Sequence, residues 1–161
     1  MEPLITYRLT GTQVWSYHFF AGRQMIGKAS YVLSLSPVVR IESPVVSWYS
    51  MFQMNTDSDI LSGVSRKVMD DRAGKEAFRI VYCEPGFYRI LGGNVNLLVE
   101  CRDEAYLFGN PGQPVMALTE RIREWSWVPV GEPFFMTTVY ERNVPMELLS
   151  AILAFPVLKF F

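Results

Sequence analysis

One histidine, two cysteines and two carboxylate pairs are the residues through which this 161-residue chain could do chemistry. A nucleophile–base pair would have to use His18, the single histidine, and no Gly-x-Ser-x-Gly turn accompanies it. Its setting, VWSYHFFAG, is a strand-like run, so His18 reads as a structural histidine with a hydrogen-bond partner. Asn55, Asp57 and Asp59 in NTDSD alternate as the first ligands of a calcium loop do. Ile60 stands where that loop needs glycine, however, and no glutamate follows at the twelfth position, so the segment reads as a solvated loop. Cys83 and Cys101 lie in strand-like apolar stretches, and with one histidine they are too few and too scattered for zinc. Both are expected as small buried hydrophobes rather than a disulfide. Asp70–Asp71 and Asp103–Glu104 each lie beside Arg72, Lys75 or Arg102 and read as neutralised hairpin ends, not as acid–base pairs. GNPGQP lacks the Lys-Ser/Thr of a phosphate-binding loop and reads as a turn. No catalytic residue, metal site or cofactor is expected.

The elements that would position any site are short strands. SYVLSLS, VVRIES, FRIVYC, NVNLLVEC and FFMTTVY are rich in β-branched and aromatic residues, and several alternate apolar with polar. Gly22 in FAGRQ, Asp71 and Gly74 in DDRAGKEAF, Gly86 in EPGF, Gly92–Gly93 in LGGN and the GNPGQP reversal punctuate them. About eleven or twelve antiparallel strands follow, which points to a barrel or sandwich. MALTERIREWSW fits both helical and strand spacing, and periodicity alone leaves it open. With 50% hydrophobic and 19% charged residues, the chain has ample material for one domain over residues 1–161. A net charge of −1 argues against a nucleic-acid partner. MEPLITYRLT lacks the basic start and apolar core of a secretory signal, so a cytoplasmic setting is expected.

The chain closes on PMELLSAILAFPVLKFF. Pro145 suits a first helical turn and Asn143 is a candidate cap. Leu148, Leu149, Ile152, Leu153, Phe155 and Leu158 surround such a helix with apolar side chains, which demands deep burial or a membrane. Its seventeen residues reach about 25 Å, short of the roughly 30 Å hydrocarbon core, and Pro156 is expected to interrupt its last turns. Burial is favoured over a transmembrane span. A closed barrel of about twelve strands is wide enough to enclose a helix.

Many strands in hairpins before a C-terminal apolar helix resemble the Tubby C-terminal-like superfamily, which includes Tubby domains, phospholipid scramblases and LURP-one-related proteins. HFFAGRQMIGKAS, VMDDRAGKEAFRIVY, YLFGNPGQPVMALTERIR and FFMTTVYERNVPMELLSAILAFPVLKFF carry the resemblance. It implies a mainly β fold, twelve strands closed around a central hydrophobic helix, and it turns Ala117–Arg123 from an open question into a strand. It also implies a non-enzymatic binding or adaptor domain, cytoplasmic or peripheral at a membrane, that engages an anionic lipid headgroup, a small ligand or a protein. The alternative is a scramblase-like protein with its C-terminal segment in lipid. Tubby domains bind phosphoinositides through clustered Lys and Arg. The counterparts here are Arg66 with Lys67, Arg121 with Arg123, and Arg23 with Lys28; on a strand, Arg121 and Arg123 share one face. The dense Lys/Arg motif of that family is missing.

Overall fold

The computed structural model describes residues 5–13, 16–32, 37–51, 63–93, 95–110, 112–122 and 133–160. They form a closed antiparallel barrel of twelve strands around one helix. The strands are β1 (Ile5–Gln13), β2 (Ser16–Ala21), β3 (Gln24–Val32), β4 (Val38–Glu42), β5 (Ser47–Met51) and β6 (Val64–Asp70). They continue as β7 (Lys75–Glu84), β8 (Phe87–Gly92), β9 (Val95–Arg102), β10 (Ala105–Gly109), β11 (Ala117–Arg121) and β12 (Pro133–Val139). Each strand pairs with its sequence neighbours, and β1 closes on β12 with Ile5 opposite Val139. Closure leaves no sheet edge to pair with another chain.

Alternation decides which side chains enter the lumen. In β4, Val39 and Ile41 are buried while Arg40 faces out; in β5, Trp48 and Ser50 are buried while Tyr49 is not. The turns fall where the sequence places them. Gly74 ends the 71–74 turn with φ 64°, a conformation that a side chain disfavours. Gly92 has φ 149°, and a Cβ there would lie 2.6 Å from the Phe78 backbone. Only glycine lets β8 leave its pairing so close to β7.

A barrel of eight strands is filled by side chains alone, and width grows with strand number. Twelve strands leave room for a helix, and α1 (Met146–Phe160) occupies it. Every residue over 151–158 is buried, as is Leu149, while Leu148 is partly covered. Phe155 packs edge-on against Tyr106, Phe108 and Tyr88 at centroid distances of 5.2, 5.6 and 6.1 Å. Two expectations change. The helix continues through Pro156 instead of stopping near it, since tight barrel packing outweighs one missing backbone bond. Asn143 is not the cap: it sits in the left-handed region at φ 57°, and the Pro145 carbonyl accepts the first helical bond, from Leu149 N–H at 2.9 Å. Among the described residues no helix is long and apolar enough to cross a membrane.

The up-and-down order gives the barrel two distinct ends. The base carries the turns after β2, β4, β6, β8 and β10, and α1 starts there. The opposite end, the mouth, carries the turns after β7 and β9, and the last turn of α1, with Lys159, lies there.

Candidate functional site

Position and pairing sort the basic residues that the sequence singles out. Register shifts between Val64 and Arg66, so one extra residue bulges out of β6. Past it the register is regular, and alternation with buried Val68 sets Arg66 opposite buried Ile80, on the lumen side. Lys67, the next residue, stands opposite Arg79 on the outer face. The pair Arg66–Lys67 is therefore split between the two faces of the wall.

Arg121 follows buried Ala117 and Thr119 on the same face of β11. It lies at the mouth rim, and its guanidinium donates to Glu104 of the β9–β10 turn. Arg123, Trp125, Trp127 and the Asn55–Asp59 loop lie outside the described residues. Arg23 is exposed in the β2–β3 turn, and Lys28 pairs with Glu42 at 3.2 Å.

Arg66 is the unusual cation. Its Nη1 donates to the Met51 carbonyl at 3.3 Å and to Ser50 Oγ at 3.5 Å, both long. Among the described residues no carboxylate pairs with it. Burial pushes its pKa down to about 10, still far above neutrality, so the group keeps its charge.

Arg66 shares a cavity of about 90 Å³ with Lys159, the last charged residue of α1. Ser65 and Tyr88 complete its polar lining, and Ile80, Phe155 and Leu158 form its apolar part. Lys159 complements the negative end of the helix dipole, and its Nζ lies 4.9 Å from the Tyr106 ring centre and 5.8 Å from that of Tyr88. Its nearest polar contact is a weak one, 4.0 Å to Cys101 Sγ, and no carboxylate pairs with it among the described residues.

Burial raises the pKa of Tyr106 to about 12 and also raises that of Tyr88, so both phenols stay protonated at neutral pH. Burial likewise pushes the Cys101 thiol up, against the pull of Lys159, which keeps it a poor nucleophile. An arc of alternating cations and phenols thus runs along the mouth from Arg66 through Tyr88, Lys159 and Tyr106 to Arg121.

Sequence reasoning found Arg66 and Arg121 but missed Tyr88, Tyr106 and Lys159 as members of a site. One signal was present: Lys159 is the single charge in residues 148–161.

The other chemical candidates disperse. His18 is partly buried, beside Phe20, and its pKa is lowered by burial and by Lys28. Both cysteines are free; Cys101 is partly buried, but Cys83 is exposed at the end of β7 rather than buried as expected. Asp70 caps its own turn by accepting from the Arg72 and Ala73 amides, and Asp71 pairs with Arg40. Its neighbours Arg72 and Lys75 are not the partners. Among the described residues no three His, Cys, Asp or Glu side chains converge to hold a metal. No family model, no curated protein and no solved structure matches the chain.

Proposed function

We propose that this chain is a non-enzymatic binding domain, of the Tubby C-terminal-like kind it resembles, that receives an anionic partner at the barrel mouth. One observation carries the reading: Arg66 and Lys159 line one cavity, and no described carboxylate neutralises either. Two like charges in a partly dry site are costly until a counter-charge arrives. The partner favoured by the resemblance is an anionic lipid headgroup, met peripherally in a cytoplasmic setting. The alternative, a terminal segment inserted in lipid, loses its physical motive, because the barrel wall already covers the apolar faces of α1.

Co-sedimentation with vesicles of neutral, anionic and phosphoinositide-bearing lipid, at low and high salt, tests the reading. Binding should require anionic lipid and weaken as salt rises. Equal binding to neutral vesicles, or binding indifferent to salt, would remove the electrostatic mouth from the account. No binding to any vesicle would redirect the reading to a soluble anion or an acidic protein surface.

A further inference from the structure

We infer that the cavity between Arg66 and Lys159 is a seat for one tetrahedral oxyanion, a free phosphate or the terminal phosphoryl group of a phosphomonoester. The inference rests on the proposed anion-binding mouth and specifies what enters it.

Size comes first. The cavity of about 90 Å³ has room for a phosphoryl group.

The donors come next. Both long bonds of Arg66 leave from Nη1. Among the described residues its Nε–Nη2 edge bonds nothing, and that edge matches a phosphate bidentately. Lys159 brings three N–H donors as a point charge, steadied by the faces of Tyr88 and Tyr106. Ser65 and Tyr88 add hydroxyls to the lining. The Ser65 hydroxyl already donates to the Ile80 carbonyl at 3.0 Å, so the donors left for the anion are those of Arg66, Lys159 and Tyr88.

Charge selects among oxyanions. Two cations call for two negative charges. A phosphomonoester carries about −1.5 to −2 near pH 7, whereas a phosphodiester carries one. Ile80, Phe155 and Leu158 keep part of the lining dry, which strengthens every Coulombic contact inside. The seat therefore favours a monoester terminus over the diester headgroups that dominate a bilayer.

Calorimetric titration of the full chain with inorganic phosphate, with sulfate and with chloride at constant ionic strength tests the seat. Phosphate and sulfate should bind saturably and chloride should not. Arg66→Met and Lys159→Met should each weaken phosphate at least about tenfold, while Lys67→Met, on the outer face, should leave it unchanged. Arg66→Lys keeps the charge but loses the fork, and should retain only part of the affinity. Circular dichroism confirms that each variant is folded; should Lys159→Met fail that check, Arg66→Met and Arg66→Lys decide alone.

Absent saturable phosphate binding overturns the seat, as does phosphate binding indifferent to Arg66→Met. Vesicles separate the two sources: binding to phosphatidic acid but not phosphatidylserine, lost in Arg66→Met, assigns a lipid monoester. Phosphate binding without vesicle binding assigns a soluble one. Salt-sensitive vesicle binding that survives Arg66→Met, with no phosphate titration, defeats the seat and leaves the broader mouth reading standing.

Discussion

The paired and unpaired cations of this barrel are unevenly placed among the described residues. At the base, Lys28 meets Glu42 at 3.2 Å and Arg40 meets Asp71 at 3.5 Å. At the mouth, Arg66 and Lys159 face a cavity of about 90 Å³ without a described carboxylate partner. Arg121, paired with Glu104 on the mouth rim, shows that mouth cations can be neutralised from a hairpin turn. Among the described residues, Lys28 and Arg40 towards the base are paired with carboxylates, whereas Arg66 and Lys159 at the mouth are not, and that contrast is testable.

The hardest test of that division is to remove what spans both ends. Truncation after Asn143 deletes α1 and uncovers the lumen. Burial of Leu149, Ile152, Leu153, Phe155, Val157 and Leu158 contributes roughly 9–18 kcal/mol before entropy, comparable to or above whole-domain stability. The truncated chain should lack a cooperative thermal transition and elute as aggregate. A monomeric, cooperatively folding product would show that the barrel stands without its helix.

A smaller cut should still be felt. Phe155→Ala removes the ring that Tyr88, Tyr106 and Phe108 surround. Urea unfolding should show a loss of about 3–5 kcal/mol, with Tm lower by on the order of 10 °C. A loss below about 1 kcal/mol would mean that the lumen is loosely filled at its centre.

Much of this was legible in the sequence, for a physical reason. Strand alternation, turn residues and an all-round apolar helix are local patterns, so Gly22, Gly74 and the segment 145–160 announce their roles without long-range information. Closure followed from combining two of them: many antiparallel strands and one helix that needs covering on every side. The site was less legible because it depends on register. Arg66 enters the lumen with buried Val64 and Val68 while Lys67 leaves it, and that alternation alone does not show that Arg66 and Lys159 line one cavity. Lys159 meets Tyr88 and Tyr106 only across the barrel. Asn143 misled for a related reason, since its type suits a cap but its left-handed φ serves the turn into the helix.

The contrast between the two mouth arginines, one paired with a carboxylate and one not, predicts opposite signs for their removal. Arg66→Met replaces a cation that has no described carboxylate partner with an apolar chain of similar length and should stabilise the apo protein by about 1 kcal/mol, or roughly 2–4 °C in Tm. Arg121→Met removes the partner of Glu104, a pair with one exposed member, and should cost less than about 1 kcal/mol. Scanning calorimetry without phosphate measures both. Equal destabilisation by the two would show that Arg66 is as well satisfied as Arg121 and would dissolve the distinction between them.

The smallest effect belongs to the base. Lys28 and Glu42 are both well exposed, at 47% and 37% of their side-chain surface, and such pairs contribute a few tenths of a kcal/mol because water screens them. Lys28→Met should therefore shift Tm by about a degree or less. It should leave vesicle and phosphate binding untouched, although it removes a positive charge just as Arg66→Met does. That matched removal is what makes it informative. If anion affinity followed net charge alone, the two variants would lose it alike, because each changes the formal charge of −1 by the same unit. A loss confined to Arg66→Met ties binding to the mouth and its geometry; an equal loss in Lys28→Met would reduce the mouth to one part of a diffuse surface field.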